Sequence, residues 1–169
     1  MISERMAKEL NKQINAEMFS SYLYLSMSAF FEKEGYKGFA AWMRAQAQEE
    51  YEHAMKFYDY LIDVGGVVEL EAIEKPKNEW ESPLAVFEAA KAHEIHVTNL
   101  INNLVSVSIE EKDYATNIFL QWFVTEQIEE VATVSEIIDK FKMIGERNES
   151  LYFLDKELGE RGIATNDGN

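Results

Sequence analysis

Residues 43–57 read MRAQAQEEYEHAMKF, and the fold turns on what interrupts the apolar positions there. Met43, Ala47, Ala54 and Phe57, continued by Leu61 and Val64, recur every three or four residues and so share one helix face. Glu50 sits in the middle of that face. Three other segments repeat the pattern. One runs Leu10, Ile14, Glu17, Ser21, Tyr24, Ser28, Phe31. The next runs Phe87, Ala90, Glu94, Val97, Ile101, Leu104, and the last Phe119, Phe123, Glu126, Glu130, Thr133, Ile137. A charged carboxylate turned into a core without a partner costs several kcal/mol or more. No matching set of core lysines or arginines accompanies these acids, so metal ions are the expected common partner.

The remaining composition narrows the class. At 169 residues and 47% hydrophobic content, one soluble globular domain is expected. Two prolines and long 3.6-period segments argue for an all-α fold. The chain has no cysteine, which removes disulfides, thiolate metal sites and thiol catalysis. That is compatible with the cytoplasm, the expected location. A net charge of −15 repels phosphates and anionic lipid, so neither nucleic acid nor membrane is an expected partner. Residues 1–10 lack the apolar run of a signal peptide, and no segment is long and apolar enough to span a bilayer.

Helices are predicted over about 3–34, 39–64, 83–109 and 114–145, with a short fifth over 148–158. Residues 1–158 form the expected domain, and the small, polar stretch 159–169 is expected to be a flexible C-terminal tail. Short breaks at 35–38 and 110–113 make the flanking helices antiparallel. The connection over 67–82 is long and contains Pro76. Extended, it reaches roughly 50 Å, enough to run the length of a helix of about 40 Å. The second and third helices then lie parallel, joined by a crossover. Counting outward from the two turns brings Glu94 level with Glu130, and Glu17 nearly level with His53. The expectation is a four-helix bundle with one acidic cluster inside.

Glu50 and His53 form Glu-x-x-His, adjacent on one face. Glu17, Glu50, Glu94 and Glu130 with one neutral imidazole total −4, which two divalent cations balance. Oxygen-rich ligation with a single histidine suits Fe(II) or Mn(II) better than structural zinc. Glu49, Glu126 and Glu129 are either an exposed acidic patch or an accessory cation site. Gln127 can hydrogen-bond a ligand or bound water, and Tyr24 is either core or an electron donor. Trp122 is read as packing, and His93 and His96 as structural.

Taken together, Glu17, Tyr24, Glu49-Glu50-x-x-His53, Glu94 and Glu126-Gln127-x-x-Glu130 resemble the prokaryotic non-haem ferritins over nearly the whole chain. The resemblance implies a ferritin-like four-helix bundle with one long crossover and a short C-terminal helix. It implies a homo-oligomeric shell of 24 subunits that oxidises Fe(II) with dioxygen or hydrogen peroxide and stores a ferric mineral. Glu17, Glu50 and His53 then resemble the first iron site, and Glu50, Glu94 and Glu130 the second. Glu49, Glu126, Glu129 and Glu130 resemble a third, accessory iron site, and Tyr24 the family's tyrosine beside the centre. Departures separate relatives. Gln127 and Glu130 stand where bacterioferritins carry a second Glu-x-x-His, and Tyr51 stands where a haem-ligating methionine is expected, so no haem is expected. Asn117 and Leu120 replace the channel acids of animal ferritins. A di-iron oxygenase or peroxidase without a storage role is the alternative, and a purely structural bundle is the third reading.

Overall fold

The computed structural model describes residues 2–145 and 147–166, with side chains through Arg161. Five helices follow in order: α1 (Glu4–Glu34), α2 (Lys37–Asp63), α3 (Pro83–Glu110), α4 (Tyr114–Ile144) and α5 (Asn148–Asn166). Their starts are written locally. Ser3 Oγ accepts from Met6 N at 3.1 Å, and Ser82 Oγ from Ala85 N at 3.1 Å ahead of Pro83 at the first helical position. Asp113 caps α4 by accepting from Thr116 N at 3.0 Å. The turn after α1 needs a left-handed residue, and Gly35 supplies it at φ 89°.

The crossover lies along α1, held by a series of polar rungs. Asn11 donates to Val67 O at 2.9 Å and accepts from Glu69 N at 2.8 Å. Asn15 donates to Ala72 O at 3.2 Å, and Ser26 to Lys77 O at 2.7 Å. Lys33 closes the series on Glu79 at 2.9 Å. Because the rungs climb α1 from its first turns to its last, α2 and α3 run parallel, as the loop length required. Pro76 and Trp80 are buried, with Trp80 edge-on to Phe30 at 5.5 Å.

Inside, two hydrophobic clusters are separated by a polar layer. One gathers Tyr24, Phe31, Phe39, Trp42, Phe87 and Phe141. The other gathers Leu10, Ile14, Phe57, Ile101, Leu104 and Phe123. Between them, from all four long helices, come Glu17, Glu50, His53, Glu94, Gln127 and Glu130, all buried.

Two expectations are corrected. The inward face of α4 is Thr116, Leu120, Phe123, Gln127, Glu130, Val134 and Ile137, while Glu126 is only half-buried and Thr133 is exposed. Both rotations of α4 carry apolar residues at helical spacing, so only packing against the other helices chooses between them. The fifth helix also continues past Leu158 to Asn166. Leu151, Leu154 and Leu158 are buried, and Arg161 extends the helix's contacts back to α2, which gives those later turns a partner. Residues 167–169 of the expected tail lie outside the described residues.

Candidate metal centre

Each inward glutamate comes from a different helix: Glu17 from α1, Glu50 from α2, Glu94 from α3 and Glu130 from α4. The structure brings Glu17, Glu50 and His53 together, with one potential ligand atom from each lying within 4.8 Å of the others. Glu50, Glu94 and Glu130 form a second such group, and His53, Glu126 and Glu130 a third. Glu50 belongs to the first two. Glu49 and Glu129 fall in none of the three. Glu129 is exposed on α4, and Glu49 accepts from Arg161 Nη2 at 2.9 Å.

The donor set fits divalent cations. Glu17 Oε2 and both oxygens of Glu50 are buried and receive no hydrogen bond. A buried acceptor without a donor costs about 1–3 kcal/mol, more when charged. A cation between them removes that cost. Four carboxylates and one imidazole are the ligand chemistry of Fe(II) and Mn(II).

Four of the remaining carboxylate oxygens are held by donors. Gln13 Nε2 reaches Glu17 Oε1 at 2.7 Å, and Gln46 Nε2 reaches Glu130 Oε2 at 2.9 Å. Glu94 receives Tyr24 Oη at 2.5 Å on Oε1 and Gln127 Nε2 at 3.1 Å on Oε2. Such partners orient ligands and keep them from closing on one another. Sequence reading named Tyr24 and Gln127 but missed Gln13 and Gln46. Each lies four residues before a core glutamate, so helical spacing carried the signal. Arg161 had no local signal at all.

His53 stands at the margin. Its Nδ1 is 3.3 Å from Glu50 Oε2, its Nε2 is 4.0 Å from Glu126 Oε1, and its ring is edge-on to Trp122 at 5.4 Å. Burial, then the charge of Lys56, lowers its pKa to about 4, so the imidazole is neutral and its lone pair is available. Trp122 is 42% exposed, so it packs as a cover over His53, not inside the core. His93 is half-buried with Nε2 2.7 Å from Ser20 Oγ, and His96 is exposed, in keeping with structural roles.

Burial dominates the titration of the acids. It raises Glu17 from 4.5 to about 7. It raises Glu130 to about 8, helped by the charge of Glu94. Glu50 and Glu94 are raised by burial as well, Glu50 further by the charges of Glu94, Glu17 and Glu130. The consequence for stability has a definite sign. Between pH 4.5 and 8 the folded, cation-free protein holds protons on Glu17 and Glu130 that the unfolded chain has lost, so stability falls as pH rises. His53 works the other way between about 4 and 6.5, where the unfolded imidazole takes a proton that the folded one refuses. Above pH 6.5 only the carboxylates remain. We expect the cation-free protein to lose thermal stability from pH 6.5 to 8, and saturating divalent cation to abolish that slope. Calorimetric scans across the window check it, and a flat or rising cation-free profile would count against it.

Among the described residues no helix is long and apolar enough to cross a membrane. The profile of the ferritin-like domain family matches residues 7–144. A bacterial non-heme ferritin of Bacteroides fragilis is 48% identical over 161 residues, covering 95% of this chain and all of that protein. The bacterial non-heme ferritin of Escherichia coli O157:H7 is 40% identical, covering 94% of this chain and 96% of that protein. The open pore ferritin of the archaeon Archaeoglobus fulgidus superposes with a TM-score of 0.93 at 53% identity, covering 94% of this chain and 98% of that one. With four helices converging on a carboxylate-histidine cluster, and relatives of this kind along nearly its full length, the chain belongs to the ferritin family, beside the bacterial non-haem ferritins.

Proposed function

We propose that this chain is the ferroxidase subunit of a 24-subunit iron-storage shell in the cytoplasm. The observation that carries the reading is the pair of overlapping groups sharing Glu50: Glu17, Glu50, His53 and Glu50, Glu94, Glu130. Two Fe(II) ions are the substrate, one in each group, displacing the protons that the buried carboxyls hold. Their charge balances the four carboxylates, and their coordination satisfies the oxygens of Glu17 and Glu50 that receive no hydrogen bond. Each iron gives up one electron. With dioxygen as acceptor, two electrons and two protons yield hydrogen peroxide and two Fe(III), and hydrogen peroxide itself is an alternative acceptor.

The protein's part is to hold the two ions close and then to let them go. Once the ions are ferric, positive charge exceeds the −4 of the ligands, an excess that oxo or hydroxo groups or departure of the product relieves. The half-buried Glu126, grouped with His53 and Glu130, offers a next position at the rim. Glu49 and Glu129 extend the acidic surface there as an accessory iron position. Tyr24 positions Glu94 through its hydrogen bond and can also supply an electron, since it is buried beside the pair. The ferritin names of the relatives support storage over a stand-alone di-iron oxygenase.

Light scattering on protein loaded aerobically with ferrous salt tests assembly and storage together. A shell of 24 copies of the 19.5 kDa chain has a protein mass of about 470 kDa, and loading should add mineral mass inside it. His53→Ala should leave the shell assembled and slow the rapid phase of iron oxidation. A small oligomer that gains no mass, or an unaltered rapid phase in His53→Ala, would refute the assignment.

A further inference from the structure

Arg161 lies on α5, outside the four helices that supply the acids, yet a chain of hydrogen bonds runs from it into the cluster. Its Nη2 donates to Gln46 Oε1 at 2.6 Å and to Glu49 Oε1 at 2.9 Å. Its guanidinium sits 4.8 Å over the ring of Trp42. Gln46 is 1% exposed and donates through Nε2 to Glu130 Oε2 at 2.9 Å. A glutamine amide has an accepting and a donating end, and either can face a given neighbour. A guanidinium only donates. Arg161 therefore compels Gln46 to turn its oxygen outward and its NH2 group inward, toward Glu130.

The direction matters to Glu130. Facing an NH2 group, one oxygen of Glu130 is engaged as an acceptor, and that contact fixes how the carboxylate is turned within the cluster. With the amide reversed, oxygen would face oxygen, the contact would be lost, and the carboxylate would be free to turn out of the position in which it groups with Glu50 and Glu94. We propose that Arg161 is a positioning residue for the metal pocket: it locks the Gln46 amide so that Glu130 is held as a ligand for the second cation. The inference rests on the two-ion pocket proposed above. It makes the seating of α5 a determinant of cation binding about which the four long helices carry no information.

Anaerobic titration with Co(II), followed by calorimetry and visible absorption, reads each ion without any turnover. The wild type should bind two per subunit. Arg161→Gln should weaken one of them by about 10- to 100-fold and leave the other unchanged. Gln46→Leu should do the same. In the Gln46→Leu background, Arg161→Gln should add nothing, because the relay is already cut. Arg161→Lys should restore the weakened ion, since an ammonium also only donates. Loss of a nearby positive charge, by itself, predicts the opposite: tighter binding of both ions and indifference to Gln46. That result, or wild-type affinity in Gln46→Leu, overturns the proposal. Should Arg161→Gln fail to assemble, Gln46→Leu decides alone. A wild type that binds no Co(II) overturns this proposal and the proposed function together, whereas two ions insensitive to Arg161 and Gln46 overturn only this one.

Discussion

Glu50→Gln should cost the protein both cations and make its cation-free form harder to unfold. Glu50 is the one carboxylate common to both inward groups, it is 1% exposed, and neither oxygen has a donor. Losing its charge removes a ligand from both ions at once, so binding should fall below one ion per subunit. Rapid iron oxidation should slow by about 100-fold or more. The same change relieves the repulsion of Glu17, Glu94 and Glu130. Replacing one orphaned oxygen with an NH2 donor, beside the equally orphaned Oε2 of Glu17, should then stabilise the cation-free protein by about 1–3 kcal/mol. Stopped-flow oxidation and thermal unfolding at pH 8 test the two halves separately. Fast oxidation in the variant would dispose of the bridging role, and a lower unfolding temperature would dispose of the strain.

Gly38→Ala should detach α5. A Cβ at position 38 would lie 1.6 Å from the carbonyl oxygen of Asp155 and 2.5 Å from its carbonyl carbon, and backbone atoms cannot step aside as a flexible side chain can. The contact also carries a cap. Tyr36 begins α2 without a side-chain hydrogen bond, and the missing acceptor is Asp155 Oδ1, 2.8 Å from Phe39 N. Pushing the two helices apart thus costs packing and the cap together, about 3 kcal/mol or more. Leu151, Leu154 and Leu158 would lose their burial. Thermal unfolding and limited proteolysis within α5 check the outcome, and wild-type resistance to both would show that α2 and α5 can separate at little cost.

The parts of the molecule legible beforehand share a cause. An apolar face broken by glutamate is a local pattern, and with the Glu-x-x-His pair and turn counting it pointed to Glu17, Glu50, His53, Glu94 and Glu130 as facing one another. The crossover was legible because loop length and helix length are both read along the chain. The rotation of α4 was not, since Phe119, Phe123 and Glu126 and their neighbours one position on make equally plausible faces until the other helices are present. Glu49 illustrates a second limit. In sequence it stands beside Glu50, and nothing near it announces Arg161, far along the chain, which the fold brings to within 2.9 Å of it. Partners brought together only by the fold leave no mark on spacing. The length of α5 was hidden for the same reason, because its later turns are supported by α2 and not by their own composition.

The division of the interior into two dry blocks by a belt of acids bears on how this subunit can change over generations. Substitutions in the block around Phe31, Phe87 and Phe141 and those around Phe57, Ile101 and Leu104 fall on opposite sides of the chamber and should combine nearly additively. Either end of the rod can therefore drift, while the other end keeps the spacing of the inward acids. One end of the bundle can be rewritten without disturbing the acids between the two blocks.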